Sequence, residues 1–361
     1  MKKENVKMEI EKDIAKSPTT ASNNNLIHME EENESIKKNN SKFQATKTSS
    51  ELNCSLATNY SLNSKNTDKS LNIINQSNNY IIPKIEPIFK INIGENNSKY
   101  LYNLEYIDEI YQNLLQEEKN ANLKIEKNYM KQQNDINDKM RAILVDWLIE
   151  VHRRFRLKRK TLFQTIYIID LYLSQKIIQK SRLQLLGIAS LLISCKQNEI
   201  FYPPILEFLY ITNNAYTKEE LLGMEMLVLQ TLNFEILSAT SEEFYNIISK
   251  AFNFNKKQHL LGEYFLDSSL LDYNILKYKA SVVGAACAYF VMKFFGIKGY
   301  KDLYSPRIIM EEFPQKKIKE CTKNLCFLVK NLSNSYLRAT QEKYSSEEFG
   351  NVAALCEEQK I

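Results

Sequence analysis

Glycine and proline are scarce in this chain, at 8 and 7 residues among 361, together ~4% against the roughly 12% usual in soluble proteins. Hairpins and βαβ crossovers need turn residues in quantity, so the ordered part is expected to be helical. Cysteine offers no framework either. Cys54, Cys195, Cys287, Cys321, Cys326 and Cys356 include no C-x-x-C pair, which argues against a zinc site and a disulfide scaffold and leaves reduced thiols in helix cores. No apolar run reaches the roughly 18 residues that span a bilayer. The N-terminus MKKENVKMEIEKD lacks a signal-peptide apolar stretch, so an intracellular, soluble protein without a membrane partner is expected. Histidine is limited to His28, His152 and His259. Phosphate-binding glycine loops, a kinase catalytic loop and H-E-x-x-H are all missing, so neither enzyme, metal nor cofactor is expected and function must lie in surfaces. A net charge of +5 gives no reason to expect nucleic acid as a partner.

What is present falls into segments. Residues 1–98 are crowded with Asn, Lys, Ser, Thr and Glu and hold no Arg or Trp. Such a stretch buries too little apolar surface to offset its chain entropy, and it reads as a disordered regulatory tail. Within residues 99–134, Leu104, Ile107, Tyr111, Leu114 and Leu115 share one face of an amphipathic helix, followed by a polar linker. Residues 135–237 carry five apolar helical segments, beginning MRAILVDWLIEVHRRF. Pro203-Pro204 marks a helix start, and Thr217 with Glu220 forms a capping box for the fifth segment. A second helical block spans 238–345, and 346–361 reads as a C-terminal tail. Shifting the chain by the distance from Gly187 to Gly284 also places Asp170 over Asp267 and Lys196 over Lys293. That supports a duplicated five-helix unit. The small-residue clusters at Gly187 and Gly284 place their helices at the bundle centres, where close approach needs small side chains.

The helix over Met140–Val151 carries two apolar stripes. Met140, Ile143, Leu144, Trp147 and Val151 form one; Ala142, Val145, Leu148 and Ile149 form the other. Either the helix is buried all round, or one stripe is exposed as a partner groove; Asp146 and Glu150 border the Met140 stripe and favour its exposure. Arg141 lies near the opposite stripe and needs a carboxylate, for which Asp170 in the next helix is the natural candidate. The run HRRFRLKRK holds six basic residues, suited to a helix C-terminus and loop, with nuclear import or an acidic partner as the second reading.

The segments MRAILVDWLIEV, LQLLGIASLLISCKQNEIFYPP, ITNNAYTKEELLGMEMLVLQTLNF, LLDYNILKYKAS and EKYSSEEFG resemble, in order and spacing, the cyclin box and C-terminal cyclin fold of A/B-type (mitotic) cyclins. The resemblance covers about residues 104–352. It implies an all-α protein of two tandem five-helix cyclin folds that binds and allosterically activates a cyclin-dependent serine/threonine kinase, with a role at G2/M. It implies that Lys196 and Glu225 hold the kinase's regulatory helix by its backbone, and that Ile193, Leu229, Phe234 and Ile236 form the pocket for an isoleucine of that helix. It also implies a docking patch for substrates and inhibitors with Arg-x-Leu motifs, made of Met140, Ile143, Leu144, Trp147, Glu150, Leu183 and Gln184. Arg141 and Asp170 match a structural ion pair of the family. Gln197-Asn198-Glu199 stand where the family has an aromatic and two acids, a departure that bears on the strength and identity of pairing.

Lys3-Glu4-Asn5 reads as KEN, a degradation signal for the anaphase-promoting complex, whereas an R-x-x-L destruction box is impossible before Arg141, the first arginine. Ser17-Pro18 is a minimal proline-directed phosphorylation site. Nucleus and cytoplasm are the expected locations. Two alternatives use the same fold. A two-repeat transcription factor would carry a cysteine-paired zinc ribbon and a strongly basic core, and a transcriptional cyclin would lack the MRAIL-type residues and a KEN-bearing tail.

Overall fold

The computed structural model describes residues 106–120, 124–332 and 334–358, and every regular element among them is helical. The expected tail, residues 1–98, lies outside them, as does Lys3-Glu4-Asn5. The first helix, α1, spans Ile107–Asn120, followed by a 3-10 turn at Tyr129–Gln132. The first repeat comprises α2 (Asp138–Phe155), α3 (Arg159–Gln175), α4 (Leu183–Asn198), α5 (Ile205–Tyr210) and α6 (Lys218–Thr231). The second comprises α7 (Ser241–Ala251), α8 (Lys256–Leu271), α9 (Ala280–Phe294), a 3-10 turn at Tyr300–Tyr304, and α10 (Pro314–Leu332). Short helices α11 (Ala339–Tyr344) and α12 (Val352–Glu358) follow. The starts of α3 and α8 are separated by the same 97 residues as the starts of α4 and α9. The fourth member of the second repeat is the 3-10 turn rather than an α-helix.

Local sequence sets the helix ends. Thr217 accepts from the Glu220 N–H at 3.2 Å while the Glu220 carboxylate accepts from the Thr217 N–H at 2.8 Å, closing the capping box of α6. With glycine scarce, asparagine closes helices instead. Asn213, Asn233 and Asn253 take φ of 54°, 50° and 51° after α5, α6 and α7. In each case the following N–H reaches back to a helix carbonyl: Asn214 to Leu209, Phe234 to Leu229 and Phe254 to Ser249, at 2.9–3.0 Å. This is the left-handed C-terminal closure that asparagine tolerates better than other residues with a side chain.

The two small-residue helices sit where their composition requires. In α4 the side chains from Leu185 to Cys195 are buried, as are most of those between Ser281 and Met292 in α9. A Cβ on Gly187 would lie 2.8 Å from Leu144 Cδ1 in α2; one on Gly284 would lie 2.8 Å from the Ser241 carbonyl oxygen in α7. The second contact is with backbone, so α7 and α9 meet at a distance that only glycine permits.

Helix α1 packs on the second repeat, not on the first repeat that follows it in sequence. Tyr111 stacks edge-on against Phe244 with centroids 5.4 Å apart and donates to the Ile308 carbonyl at 2.9 Å. Glu118 accepts from the Ser281 N–H at 2.8 Å and its hydroxyl at 2.7 Å, so α1 caps the first turn of α9. The expected linker is also docked: Gln133 donates to the Leu173 and Lys176 carbonyls, both at 2.8 Å. Residues 346–361, expected as a tail, contain α12, which buries Val352, Ala353 and Cys356 and packs on α8. Seven residues are too short for periodicity to reveal a helix.

Candidate protein-docking surfaces

Lys196 lies in the last turn of α4 and Glu225 in α6, 29 positions later, yet the two are joined. Lys196 Nζ donates to Glu225 Oε1 at 2.6 Å and Oε2 at 2.8 Å. The ammonium is partly exposed and the carboxylate largely buried. Ile193, one turn before Lys196, is buried; Leu229, one turn after Glu225, is half-buried. The α6 closure then carries Phe234 out to solvent, 62% exposed and at a φ of 62°. A positive φ on a bulky aromatic residue is strained, and it turns the ring outward beside half-buried Ile236. The surface therefore combines a pre-paired charge couple with an apolar margin. Gln197 is exposed, and Asn198 donates to the Ser194 carbonyl at 3.1 Å.

On α2 the stripe of Ala142, Val145, Leu148 and Ile149 is buried. The Met140 stripe divides: Leu144 and Val151 are buried, Met140, Ile143 and Trp147 are half-buried, and Glu150 is exposed. Leu144 lies against Gly187, one turn beyond buried Leu183 and half-buried Gln184 on α4. Leu144 thus brings α2 against α4, and of these residues Met140, Ile143, Trp147, Glu150 and Gln184 reach solvent. Asp146 has a role the sequence did not disclose: its carboxylate accepts from the backbone N–H groups of Arg338 at 3.3 Å and Ala339 at 3.0 Å, holding the start of α11.

Arg141 and Asp170 form a two-pronged pair at 2.6 Å for both contacts, each about 2% exposed. Tyr129 donates to Asp170 at 2.7 Å, and Arg141 also donates to the Leu270 carbonyl of α8 at 2.8 Å. Three of the six basic residues of the run are tied into the fold, whereas Arg153, Arg154 and Arg156 are exposed. Lys158 Nζ donates to the Asn198 carbonyl at 2.7 Å, and Lys160 pairs with Glu243 at 2.8 Å. Arg159 pairs with Glu263 at 3.0 Å and with Asp267 at 2.7 Å. Lys343 and Tyr344 of α11 add donors to Asp267 at 2.8 and 2.9 Å. Burial alone would raise the Asp267 carboxyl, but Arg159 and Lys343 outweigh it and hold the group well below the usual carboxylate range. The sequence does not disclose this network because its members lie up to 185 positions apart, from Arg159 to Tyr344. Among the described residues no cluster suited to a metal ion is found, and no helix is long and apolar enough to cross a membrane.

Comparison with known proteins bears on this geometry. Residues 109–237 match the family description "Cyclin, N-terminal domain", and residues 239–358 match "Cyclin, C-terminal domain". The chain belongs to the cyclin family. It is 33% identical over 75% of its length to Cyclin-B2-2 of Arabidopsis thaliana, covering 62% of that protein. To the G2/mitotic-specific cyclin-B of Dictyostelium discoideum it is 34% identical over 70% of its length, covering 57% of that relative. The matches therefore span about three-fifths of the length of these B-type cyclins. A viral cyclin from herpesvirus saimiri shares the fold at a TM-score of 0.53 and 16% identity, over 61% of this chain and 97% of the viral one.

Proposed function

We propose that the chain is the regulatory subunit of a cyclin-dependent serine/threonine kinase, binding and allosterically activating it and recruiting its substrates at G2/M. The observation that carries this reading is the Lys196–Glu225 couple at the edge of an apolar margin, 2.6 Å apart. In the free chain each group satisfies the other. On docking, Lys196 donates to carbonyls and Glu225 accepts N–H groups at the end of the kinase's regulatory helix, exchanging one charge-assisted contact for others of similar strength. Ile193, Leu229, Phe234 and Ile236 receive an apolar side chain of that helix and contribute most of the affinity. Holding the helix inward selects the kinase's active arrangement. ATP and magnesium belong to the kinase, and this chain needs no cofactor or nucleic acid.

The half-exposed Met140, Ile143 and Trp147 take the leucine of Arg-x-Leu substrates and inhibitors, Glu150 the arginine, and Gln184 the peptide backbone, with Leu144 and Leu183 beneath. Lys3-Glu4-Asn5 directs destruction through the anaphase-promoting complex, and the protein works in nucleus and cytoplasm. Similarity to B-type cyclins supports the mitotic timing.

The deciding experiment pairs Lys196→Ala with Glu225→Ala in the full chain and measures phosphorylation by a recombinant cyclin-dependent kinase. Loss of activation with an unchanged melting temperature is expected; full activation by the double variant would refute the assigned interface.

A further inference from the structure

The charge of the chain is unevenly placed. Residues 291–330 hold nine Lys and Arg against four Asp and Glu, an excess as large as the +5 of the whole chain. Much of it lies on one face of α10. Lys316, Lys319, Lys323, Phe327 and Lys330 fall in a single stripe at helical spacing, and all five are exposed, Phe327 by 69%. The first three stand around an open hollow of about 440 Å³ that Gln315 and Glu320 complete. The fold does not account for the cations at this end of the helix. Lys316 belongs to the first turn of α10, where the helix dipole opposes positive charge. The nearby carboxylates serve other groups: Glu320 accepts from the Tyr278 hydroxyl at 2.8 Å and pairs with Lys277 at 3.4 Å, and Glu311 pairs with Lys279 at 3.0 Å. Two lysines of the region rest on aromatic faces instead. Lys319 Nζ lies 5.9 Å from the centre of the Tyr304 ring and Lys293 Nζ 4.2 Å from that of Tyr300, the two rings being 6.4 Å apart. Ammonium groups held in this way lose less entropy on meeting an anion.

We infer that the outer face of α10 binds an acidic segment of a partner protein, whose carboxylates meet Lys316, Lys319 and Lys323 and whose apolar side chain, one helical turn further on, covers Phe327. Charge complementarity fixes the sign of the occupant, and the surroundings of the lysines fix its class. A single-stranded nucleic acid needs free aromatic faces on which its bases stack, whereas Tyr300 and Tyr304 already carry the protein's own ammonium groups. An anionic membrane presents unbroken negative charge and takes up several apolar side chains. Here Glu320 interrupts the lysines, and Phe327 is the one large apolar side chain of the stripe. A peptide carries its charges singly, so its carboxylates pair with the lysines while its backbone N–H groups face Glu320. The inference does not rest on the kinase-binding reading, since α10 belongs to the second repeat and Lys196 and Glu225 to the first.

The test measures the fluorescence anisotropy of two labelled twelve-residue peptides titrated with the full chain, one carrying six Glu and two Leu, the other with Ser in place of each Leu. Lys316→Glu combined with Lys319→Glu and Lys323→Glu is expected to weaken both peptides by about 10- to 100-fold. The melting temperature is expected to hold or rise, because the side chains face solvent and Glu suits the first turn of a helix. Phe327→Ser is expected to weaken the leucine peptide by about 3- to 10-fold and to leave the serine peptide unchanged. Failure of the parent to bind either peptide at low salt overturns the inference, as does unchanged binding by the triple variant. Equal effects of Phe327→Ser on both peptides remove the apolar contact and overturn the assigned pairing. Tighter binding of a twelve-nucleotide single strand or of phosphatidylserine vesicles, lost in the triple variant, assigns the face to a nucleic acid or a membrane and overturns the protein occupant.

Discussion

Arg159, at the start of α3, places Nη2 2.7 Å from Oδ1 of Asp267 in α8. Asp267 occupies in the second repeat the place that Asp170 occupies in the first. Asp170 is neutralised within its own repeat by Arg141; Asp267 is neutralised largely from across the boundary. The duplicated carboxylate therefore locks one repeat internally and joins the two repeats at its second occurrence. Arg141 adds a reciprocal tie through the Leu270 carbonyl.

Removing either arginine leaves a buried carboxylate short of its partner. Arg141→Met is expected to lower unfolding free energy by about 3–5 kcal/mol, the cost of breaking a buried pair from one side. Arg159→Met is expected to cost less, because Lys343 and Tyr344 still serve Asp267. Urea denaturation checks both, and equal losses would mean that Lys343 contributes nothing without Arg159.

His152 gives the fold an acid sensitivity. Its Nε2 donates to the Lys158 carbonyl at 3.0 Å, and burial, with Arg159 and Lys343 nearby, lowers its pKa from the ordinary 6.5 to about 4. Between those values the unfolded chain binds a proton that the native chain refuses. Stability is therefore full above pH 6.5 and falls as pH drops toward 4, by on the order of 3 kcal/mol at the lower end. His152→Gln is expected to flatten this slope in urea titrations between pH 7 and 4.5, and an unchanged slope would assign the acid sensitivity to other groups.

The approach of α7 to α9 depends on Gly284. Gly284→Ala places a methyl group 2.8 Å from the Ser241 carbonyl oxygen, and backbone cannot rotate away as a side chain can. A loss of about 1–3 kcal/mol is expected. Gly223→Ala, where nothing lies within 4 Å, is the matched control and should be neutral or slightly stabilising in thermal melts.

Trp147 is half-buried on α2 and packs on the core, so its two roles need separating. Trp147→Ala is expected to leave phosphorylation of a minimal peptide nearly unchanged while reducing that of substrates with an Arg-x-Leu motif about tenfold. Equal losses on both substrates would make Trp147 a core residue alone.

Much of the fold was legible in the chain. The low content of glycine and proline gave helices, Thr217 and Glu220 marked the start of α6, and the repeated small-residue clusters located the two central helices. These are local features: each depends on residues within a turn or two of one another, where spacing alone fixes geometry. The Arg141–Asp170 pair was also accessible, since a charge on an apolar stripe demands a partner and the next helix offers one. Only tertiary structure decided that α1 lies on the second repeat through Tyr111 and Glu118, that Arg159 serves Asp267, and that Lys196 and Glu225 meet while Ile200 and Phe201 stand clear in solvent. Those relationships join residues distant in sequence or depend on what fails to cover a loop, and burial and charge pairing across such distances leave no periodic trace in the order of the residues.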